Sequence, residues 1–594
     1  MKYTGKKKVR KNVGKLRRGQ LITTFGCGAI VDLPRESVVI AGTDFWRNHE
    51  DEQYHLVEEN LQKLLGVDYF VSPPGSLTDE GMPSGYGIPS FRFPTWMYCP
   101  KCKRLADARK FNFVGNPRCE KCKKNLVPSR FVVACEDGHL DDFPYEWWVH
   151  FGNKCTGKPE LFIEMSEKSS GLDSIIIWCK TCNVKRSMAG SFGKDSLKGF
   201  KCTQRRPWLN DTDPAACERC MRTMQRGATN LHFCINISAL SIPPWSKKVY
   251  IELEKNWSKL KPFLHDRDFF ITMISGWNLP HKCGCSAEEI HELGVRKRDG
   301  EGPDSGSKNW QNIVEDEYRA FLNGSDDEKD EFKTREVDVP PIVDDYVDRV
   351  VLALRLREVM ALRGFKRINA EYDVDDYNYK SFNMLSREFK NWLPGVELKG
   401  EGIFIKLNEE KLAEWENKDD VIARYSYMLS AKNNSMIKGP GLSPRYVLLH
   451  TLAHLLIRQL ILQCGYASAA IKERIYCTFT DSDAQDMAGI LLYTATNDSE
   501  GSLGGLVREG KTELLDATFR QLLEVASWCS ADPLCIQSGG QGIDALNLAA
   551  CHSCTLLPET SCERRNCFLD RAALIGTLDN SALGFFSPLL ERED

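Results

Sequence analysis

CPKCKRLADARKFNFVGNPRCEKC, residues 99–122, is the stretch that decides how this part of the chain folds. It contains Cys99-x2-Cys102 and Cys119-x2-Cys122, with sixteen residues between the two pairs. Each pair places two thiolates about one turn apart, and two pairs complete the tetrahedron of donors that Zn²⁺ prefers. The intervening residues are few enough to fold as a hairpin. The spacing therefore predicts a zinc-ribbon module.

Cysteine usage extends this prediction to the whole chain. The 594 residues include 23 cysteines, an odd number, and the N-terminal run MKYTGKKKVRKNVGKLRRG has no apolar segment behind it. A chain without a secretory signal is expected in the cytoplasm, where disulfide scaffolds are rare. CxxC pairs in a reducing compartment are typical of structural zinc. The apolar runs are far shorter than the roughly 18 residues of a membrane span, so no membrane association is expected.

Two further cysteine sets predict one zinc each. The second set consists of Cys179, Cys182, Cys202 and Cys217. The third set, near the end of the chain, consists of Cys535, Cys551, Cys554 and Cys562. With the ribbon, these sets give about three Zn²⁺ per chain. Each is a closed set of thiolates, which holds a fold together and leaves no position for catalysis.

Spacing leaves several ligand choices open. Cys220 is an alternative to Cys217, and Cys529 and Cys567 are alternatives within the third set. A fourth site built from four residues of the stretch 135–155 is also considered, although buried structural histidines are favoured there; its members would be Cys135, His139, His150 and Cys155.

Length and composition predict an α+β multidomain protein, with about four domains at roughly 150 residues each. The expected parts are an N-terminal region with a basic tail (1–90), a zinc-ribbon module (91–155), a second zinc-containing module (156–295), a charged linker (296–345) and a C-terminal mixed α/β domain (346–594). The linker is predicted because Asp and Glu outnumber Lys and Arg ten to three over residues 326–348. Such a segment buries too little apolar surface to order itself.

The C-terminal part reads as regular secondary structure. Apolar periodicity predicts helices over 348–362, 446–464 and 513–528. Residues 396–398 and 403–407 alternate around the glycine-rich KGEG and predict a hairpin. A buried strand is expected over 490–495.

Two motifs of this part resemble catalytic signatures. The segment 505–512 matches the phosphate-loop pattern with Gly505, Gly510, Lys511 and Thr512. A loop of about ten residues nevertheless separates it from the preceding strand, which argues against NTP binding. His450 and His454 have the spacing of an HExxH zinc site, but position 451 is Thr, so the general-base Glu is missing and helix packing is favoured.

Nucleic-acid contact must come from local patches, because the net charge is −3. The densest cationic run is the N-terminal tail, whose candidate phosphate contacts are Lys6, Lys7, Lys8, Arg10, Lys11, Arg17 and Arg18. A weaker candidate is the segment RRPWL, in which Arg205, Arg206 and Trp208 combine charge with a ring that stacks on unpaired bases. For RRPWL, a packed turn is favoured over a nucleic-acid contact.

Several long motifs together resemble one family. They are GQLITTFGCGAIVDLP (19–34), RFPTWMYCPKC (92–102), ACEDGHLDDFPYEWWVH (134–150), LLHTLAHLLIRQLILQCGYASAAIKERIY (448–476) and AACHSCTLLPETSCERRNCFLDR (549–571). The chain resembles the DrmB family of the bacterial DISARM anti-phage defence island, and its C-terminal part resembles the MrfA-like zinc-binding domain. The resemblance covers nearly the whole chain apart from the basic tail and the predicted linker.

The resemblance implies a function. A member of this family would be a non-catalytic subunit that partners and stimulates a superfamily-2 helicase of the DrmA type and binds DNA with a single-stranded overhang. It also implies that Cys217 fits better than Cys220, and that Cys535, Cys551, Cys554 and Cys562 are metal ligands. The alternatives are an NTPase that uses residues 505–512 and a scaffold without DNA contact.

Overall fold

The structure of the chain is a computed structural model, which describes residues 13–34, 36–74, 87–111, 117–165, 171–299, 309–369, 382–434, 442–478, 487–494 and 504–590. Lys6, Lys7, Lys8, Arg10 and Lys11 lie outside the described residues. The described residues form five β-sheets, of which the largest has eight strands.

Short strands separated by cysteine-bearing turns make up the N-terminal part. Its elements are β1 (Ile30–Leu33), β2 (Glu36–Ile40), β3 (His55–Leu56), α1 (Glu59–Leu65), β4 (Tyr69–Val71), β5 (Ser90–Arg92), β6 (Trp96–Tyr98), β7 (Arg104–Asp107), β8 (Val127–Pro128), β9 (Phe131–Ala134), β10 (Leu140–Asp142), α2 (Tyr145–Val149), β11 (Leu161–Met165), β12 (Ile175–Cys179), β13 (Lys185–Ser187), β14 (Arg205–Arg206), β15 (Asp211–Thr212) and β16 (Arg222–Gln225). A six-stranded sheet has the order β13-β12-β11-β7-β6-β8, and a three-stranded sheet has the order β10-β9-β16. The cysteine pairs lie in the turns that join these strands.

The middle of the chain combines a helical cluster with long strands. Its elements are β17 (Phe233–Leu240), α3 (Lys248–Lys255), α4 (Trp257–Leu260), α5 (Arg267–Gly276), α6 (Leu279–Cys283), α7 (Ala287–Arg298), α8 (Trp310–Asn323), β18 (Lys333–Val337), β19 (Val347–Lys366) and β20 (Trp392–Leu407). The predicted linker 296–345 contains α8 and β18, and β18 pairs with β19. Charge density misled the linker prediction, because α8 still presents an apolar face that buries Ile313, Tyr318 and Phe321.

The C-terminal part surrounds one long helix. Its elements are α9 (Glu409–Glu416), α10 (Asp419–Asn434), α11 (Pro444–Cys464), β21 (Ile471–Cys477), β22 (Ala488–Thr494), α12 (Gly505–Glu509), α13 (Thr512–Ala526), α14 (Ala572–Ile575) and α15 (Ser587–Leu590). The eight-stranded sheet runs β17-β19-β20-β22-β21, with β18 on β19 and with β4, which also pairs with β3, on β20. Three separate parts of the chain therefore share one sheet.

Helix α11 begins and ends where its sequence directs. The Ser443 hydroxyl oxygen accepts a hydrogen bond from the Tyr446 N–H, Pro444 takes the first helical position, and Gly465 ends the helix at φ 68°. The helix packs against β21, β22, α13 and α14. Among the described residues it is the one helix long and apolar enough to cross a membrane, and most of it is buried inside the protein. Its apolar length is therefore accounted for by the core.

Two C-terminal predictions are wrong. Residues 348–362 form most of β19 instead of a helix, and the residues around Gly402 continue β20 instead of turning. β19 is buried on both faces, so its apolar run has no alternation that separates strand from helix. A Cβ at Gly402 would lie 2.8 Å from the Leu492 carbonyl oxygen, so this glycine allows a close approach of β22. The predicted helices over 446–464 and 513–528 match α11 and α13.

Candidate metal centres

The four ribbon cysteines lie together, with their sulfur atoms within 4.8 Å of one another: Cys99, Cys102, Cys119 and Cys122. The first pair lies in the turn between β6 and β7. Lys103 (φ 61°) and Lys123 (φ 55°) close the two turns in the left-handed region. Burial opposes ionisation of Cys119, but the backbone N–H groups of Cys122 and Lys121 lower the pKa of its thiol to about 7. The turns therefore aim N–H groups at sulfur and prepare a thiolate for a cation.

The predicted second set divides into two centres, of which the first contains His150, Cys155, Cys179 and Cys182. Cys179 and Cys182 form a CxxC pair at the turn between β12 and β13. His150 Nδ1 lies 2.6 Å from the Glu146 carbonyl oxygen and donates to it, so Nε2 presents its lone pair, 3.3 Å from the Cys182 Sγ. Burial opposes ionisation of Cys179, but the backbone N–H of Cys182 and the nearby His150 help to lower its pKa to about 6.

The other half of the predicted second set belongs to a different centre, which contains Cys135, His139, Cys202 and Cys217. His139 Nδ1 lies 3.4 Å from the sulfur atoms of both Cys135 and Cys202. Its Nε2 faces the Asp213 carboxylate at 3.4 Å, which fixes the ring so that Nδ1 points to the sulfurs. The prediction of one zinc from Cys179, Cys182, Cys202 and Cys217 is therefore wrong. The structure places Cys217 in the centre, whereas Cys220 is exposed.

The stretch 135–155, considered above as a fourth site, supplies the two remaining donors of each of these two centres. Cys135 and His139 flank the turn between β9 and β10, whereas His150 and Cys155 follow helix α2. Separate elements carry the two pairs to different cysteine partners, so the four residues do not meet. The signal available in the sequence was Cys135-x3-His139, a short ligand pair that becomes informative only with its distant partners.

The C-terminal cysteine centre contains Cys529, Cys535, Cys551 and Cys554. The Sγ–Sγ distances are 3.5 Å from Cys529 to Cys551 and 3.8 Å from Cys535 to Cys554. The Cys529 N–H donates to Asp532, which fixes the turn that brings Cys529 and Cys535 together. The predicted fourth ligand, Cys562, lies elsewhere, beside His450, so this part of the prediction is wrong. Cys567 joins none of the metal-binding groups that the described residues form.

The donor chemistry of these four centres fits zinc. Two centres offer four sulfurs, and two offer three sulfurs and one imidazole nitrogen. Sets rich in thiolate select zinc over hard cations such as Mg²⁺ and Ca²⁺, and four protein donors leave no open position. Bound Zn²⁺ would supply a cross-link between turns. The described residues thus hold four cysteine-rich centres, whereas about three were expected. The difference arises because the predicted second set is divided between two separate centres.

The phosphate-loop pattern does not form a phosphate loop over the described residues 504–512. Residues 505–509 are helix α12 instead of a loop wrapped around an anion. The N–H groups of Gly504 and Leu506, at the start of this helix, donate to the buried carboxylate of Glu401, the latter at 2.7 Å. Glu401 therefore caps the start of α12, in a segment whose backbone would have to stay open to wrap a phosphate.

The predicted nucleic-acid residues have different outcomes. Trp208 is buried in the core, and its ring N–H donates to the Met384 carbonyl oxygen, so it cannot stack on a base. Arg205 pairs with Asp141 at 2.6 Å, and Arg206 pairs with Asp211 at 2.9 Å. RRPWL is therefore the packed turn that the sequence favoured, and the predicted stacking role of Trp208 is wrong. In the tail, Arg17 is exposed and Arg18 is half-buried.

Comparison with known proteins gives three matches. A family model described as the MrfA Zn-binding domain matches residues 452–555, a range that contains the Cys529, Cys535, Cys551 and Cys554 centre. A model described as a domain of unknown function, DUF8724, matches residues 17–233. The DISARM protein DrmB of Bacillus paralicheniformis is 35% identical over an alignment of 607 positions, which spans 94% of this chain and 100% of that protein.

These matches agree with the donor chemistry. The zinc-binding model and the cysteine-rich centres identify zinc as the metal of the chain. The match to the DISARM protein extends over nearly all of both proteins, far beyond any single zinc module. The chain therefore belongs to the DrmB family of DISARM proteins and is a component of that defence.

Proposed function

We propose that the chain is a non-catalytic, DNA-binding subunit that partners and stimulates a superfamily-2 helicase of the DrmA type in the bacterial cytoplasm. Its DNA would carry a single-stranded overhang. The motor would belong to the partner, which is consistent with the helical conformation of residues 505–509 within the phosphate-loop pattern. The zinc centres would hold the binding surfaces in shape.

The observation that carries the DNA-binding proposal is the charge of the zinc ribbon. Residues 99–130 contain ten Lys and Arg against two Asp and Glu, within a chain of net charge −3. Both acids are engaged by arginines of the same module, since Asp107 pairs with Arg109 and Glu120 with Arg104. The exposed lysines therefore dominate this surface: Lys101, Lys103, Lys121, Lys123 and Lys124.

These lysines are placed where a phosphate backbone can reach them. They lie in and beside the two CxxC turns, which metal ligation holds at fixed positions. A cationic cluster on a rigid module gains affinity for nucleic acid from the release of counterions condensed on phosphates. Each phosphate contact on a single strand contributes about 0.7 to the slope of log K against log salt.

The test is a salt titration of overhang DNA binding by the complex of the chain with its helicase. The ribbon variant combines Lys121→Glu, Lys123→Glu and Lys124→Glu. Three lost contacts should flatten the slope by about 2. The control combines Lys261→Glu, Lys282→Glu and Lys411→Glu, which makes the same charge change at exposed lysines elsewhere.

The two variants separate the possible outcomes. A flattened slope for the ribbon variant alone supports the proposal. Equal weakening by both variants would mean that net charge acts without a ribbon contact. No change in either would favour the scaffold without DNA contact. Zinc content, measured on both variants, confirms that the ribbon has kept its fold.

A further inference from the structure

A fifth group of potential donors lies in the C-terminal core, away from the cysteine-rich centres. It consists of His450, His454, Glu473 and Cys562, whose donor atoms lie within 4.8 Å of one another. The histidines are one turn apart on α11, Glu473 is on β21, and Cys562 is in the loop before α14. All four residues are buried, and both histidines are 0% exposed. Three distant parts of the chain thus bring their polar groups to one point of an apolar core.

The contacts within this group are close. His450 Nε2 lies 3.0 Å from Glu473 Oε1 and 3.2 Å from the Cys562 Sγ. His454 Nε2 lies 3.5 Å from Glu473 Oε2. A buried carboxylate faces two imidazole nitrogens and a sulfur in this arrangement. Such a concentration of donors in a core is costly unless something compensates it.

The tautomer of His454 shows what compensation is needed. Its Nδ1 lies 3.0 Å from the Thr555 carbonyl oxygen and can only donate to it, so the proton of a neutral ring is on Nδ1. Nε2 then carries a lone pair that points towards the Glu473 carboxylate. Neither His454 Nε2 nor Glu473 Oε2 has a hydrogen-bond partner among the described residues. A proton or a metal ion between the two atoms would satisfy both lone pairs.

Cys562 adds an independent observation. Its sulfur accepts hydrogen bonds from the backbone N–H groups of Arg564 at 3.3 Å and Asn566 at 3.2 Å. Arg565 (φ 54°) and Asn566 (φ 59°) close this turn in the left-handed region, as Lys103 and Lys123 close the ribbon turns. The turn after Cys562 therefore directs N–H groups at sulfur in the way of the zinc-binding turns.

We propose that His450, His454, Glu473 and Cys562 bind a fifth, structural Zn²⁺. Two neutral imidazoles, one carboxylate and one thiolate balance the charge of Zn²⁺. The complete site is therefore neutral, which lowers the electrostatic cost of burying it in an apolar core. All four donors are of types that zinc accepts, and four protein donors leave no open position. The metal would tie α11 to β21 and to the loop that ends at α14. Glu473 would serve here as a ligand and not as the general base that an HExxH site carries at the position of Thr451.

The first test uses the full-length wild-type chain with ¹¹³Cd in place of zinc. The cadmium resonance position depends on the number of thiolate donors. Four centres with three or four sulfurs should give one set of resonances, and the His450 centre, with one sulfur, should give a resonance well separated from them. A spectrum without this separate resonance would overturn the proposal. No variant is needed, so a folding defect cannot confuse the result.

The second test compares two neighbouring cysteines by metal analysis. Cys562→Ser should lower the zinc content of the purified chain by one ion per chain. Cys567→Ser removes an equally buried thiol five residues later, outside the group, and should leave the content unchanged. Glu473→Gln should match Cys562→Ser. Equal zinc in all these variants and in the wild type would contradict the site.

Discussion

The zinc ribbon and the C-terminal domain differ in what forms their interiors. The buried cluster of the ribbon is small and includes two of its own ligands: Met97, Cys99, Ala106, Ala108, Phe111, Cys119 and Leu126. The C-terminal cluster draws on every helix from α9 to α15 and on the large sheet. Metal ligation therefore replaces a core in the ribbon, whereas in the C-terminal domain it is added to an existing core. The two regions should respond differently to the same perturbations.

The largest expected difference follows removal of zinc. Structural zinc contributes about 10–16 kcal/mol of apparent binding free energy in small zinc modules, more than the ribbon core can replace. Under a strong chelator, we expect residues 96–130 to become susceptible to trypsin while α11 stays protected from hydrogen exchange. Mass spectrometry of the digestion and exchange time courses measures both. Simultaneous loss of protection in α11 would show that the C-terminal core is equally metal-dependent.

The reverse perturbation breaks the C-terminal core without touching a cysteine. Asp570 is completely buried and accepts from Arg424 at 2.7 and 2.9 Å and from the Tyr425 hydroxyl at 2.9 Å. Asp570→Asn leaves the Arg424 charge uncompensated, which should cost about 3–5 kcal/mol. Hydrogen exchange of α11 amides measures the loss. Asp579→Asn makes the same change at an exposed position and should have little effect.

The same ion pair predicts a pH response. Burial opposes the Asp570 charge, but Arg424 and the surrounding donors hold its pKa below the ordinary value. A depressed folded-state pKa gives stability that is present above the unfolded pKa and is lost as the pH falls through the folded value. The difference between wild type and Asp570→Asn should therefore be constant near neutral pH and shrink only in acid. A difference that shrinks near neutral pH would contradict the assignment.

A smaller effect sharpens the comparison of ligands. Cys529→Ser should remove one zinc per chain, because Cys529 belongs to the C-terminal cysteine centre. Cys220→Ser should remove none, because Cys220 is exposed beside its centre and Cys217 occupies the ligand position. Elemental analysis of the purified variants distinguishes them. Zinc loss from Cys220→Ser alone would reverse the ligand assignment in the N-terminal part.

The smallest expected effect concerns the basic tail. Residues 1–12 include Lys6, Lys7, Lys8, Arg10 and Lys11, and deletion should flatten the salt dependence of DNA binding without changing zinc content. The deletion stops before Leu16, which packs against the cluster of Leu21 and Val31, so the fold should be kept. An unchanged slope in the helicase complex would assign the DNA contact to the ribbon alone.

The sequence predicts correctly those features that are determined by residues close together in the chain. The ribbon ligands lie in two short turns, and α11 carries its own cap, apolar run and glycine stop, so neither needs distant information. β19 was misread because a strand buried on both faces has the composition of a buried helix. RRPWL stays open between a stacking surface and a packed turn at the level of sequence, because only the fold shows Trp208 inside the core.

The assignment of ligands to metal centres also depends on contacts that the sequence does not show. Spacing predicts Cys562 as a ligand and offers Cys529 only as an alternative, because both lie at acceptable distances along the chain from Cys551 and Cys554. Sequence distance does not state in which direction a loop leaves a turn. Asp532 fixes the direction of the Cys529 turn, and a contact of this kind exists only after folding.

The sequence by itself determined that the chain is a zinc protein of mixed α and β structure, because a CxxC turn brings its two thiolates together whatever surrounds it. It also determined the long core helix, whose periodicity and caps are properties of neighbouring residues. Only the tertiary structure decided which turns share a metal ion and that Glu473 faces His450 and His454. Those pairings join residues as far as 112 positions apart, as in His450 and Cys562, and their distances depend on how sheets and helices pack.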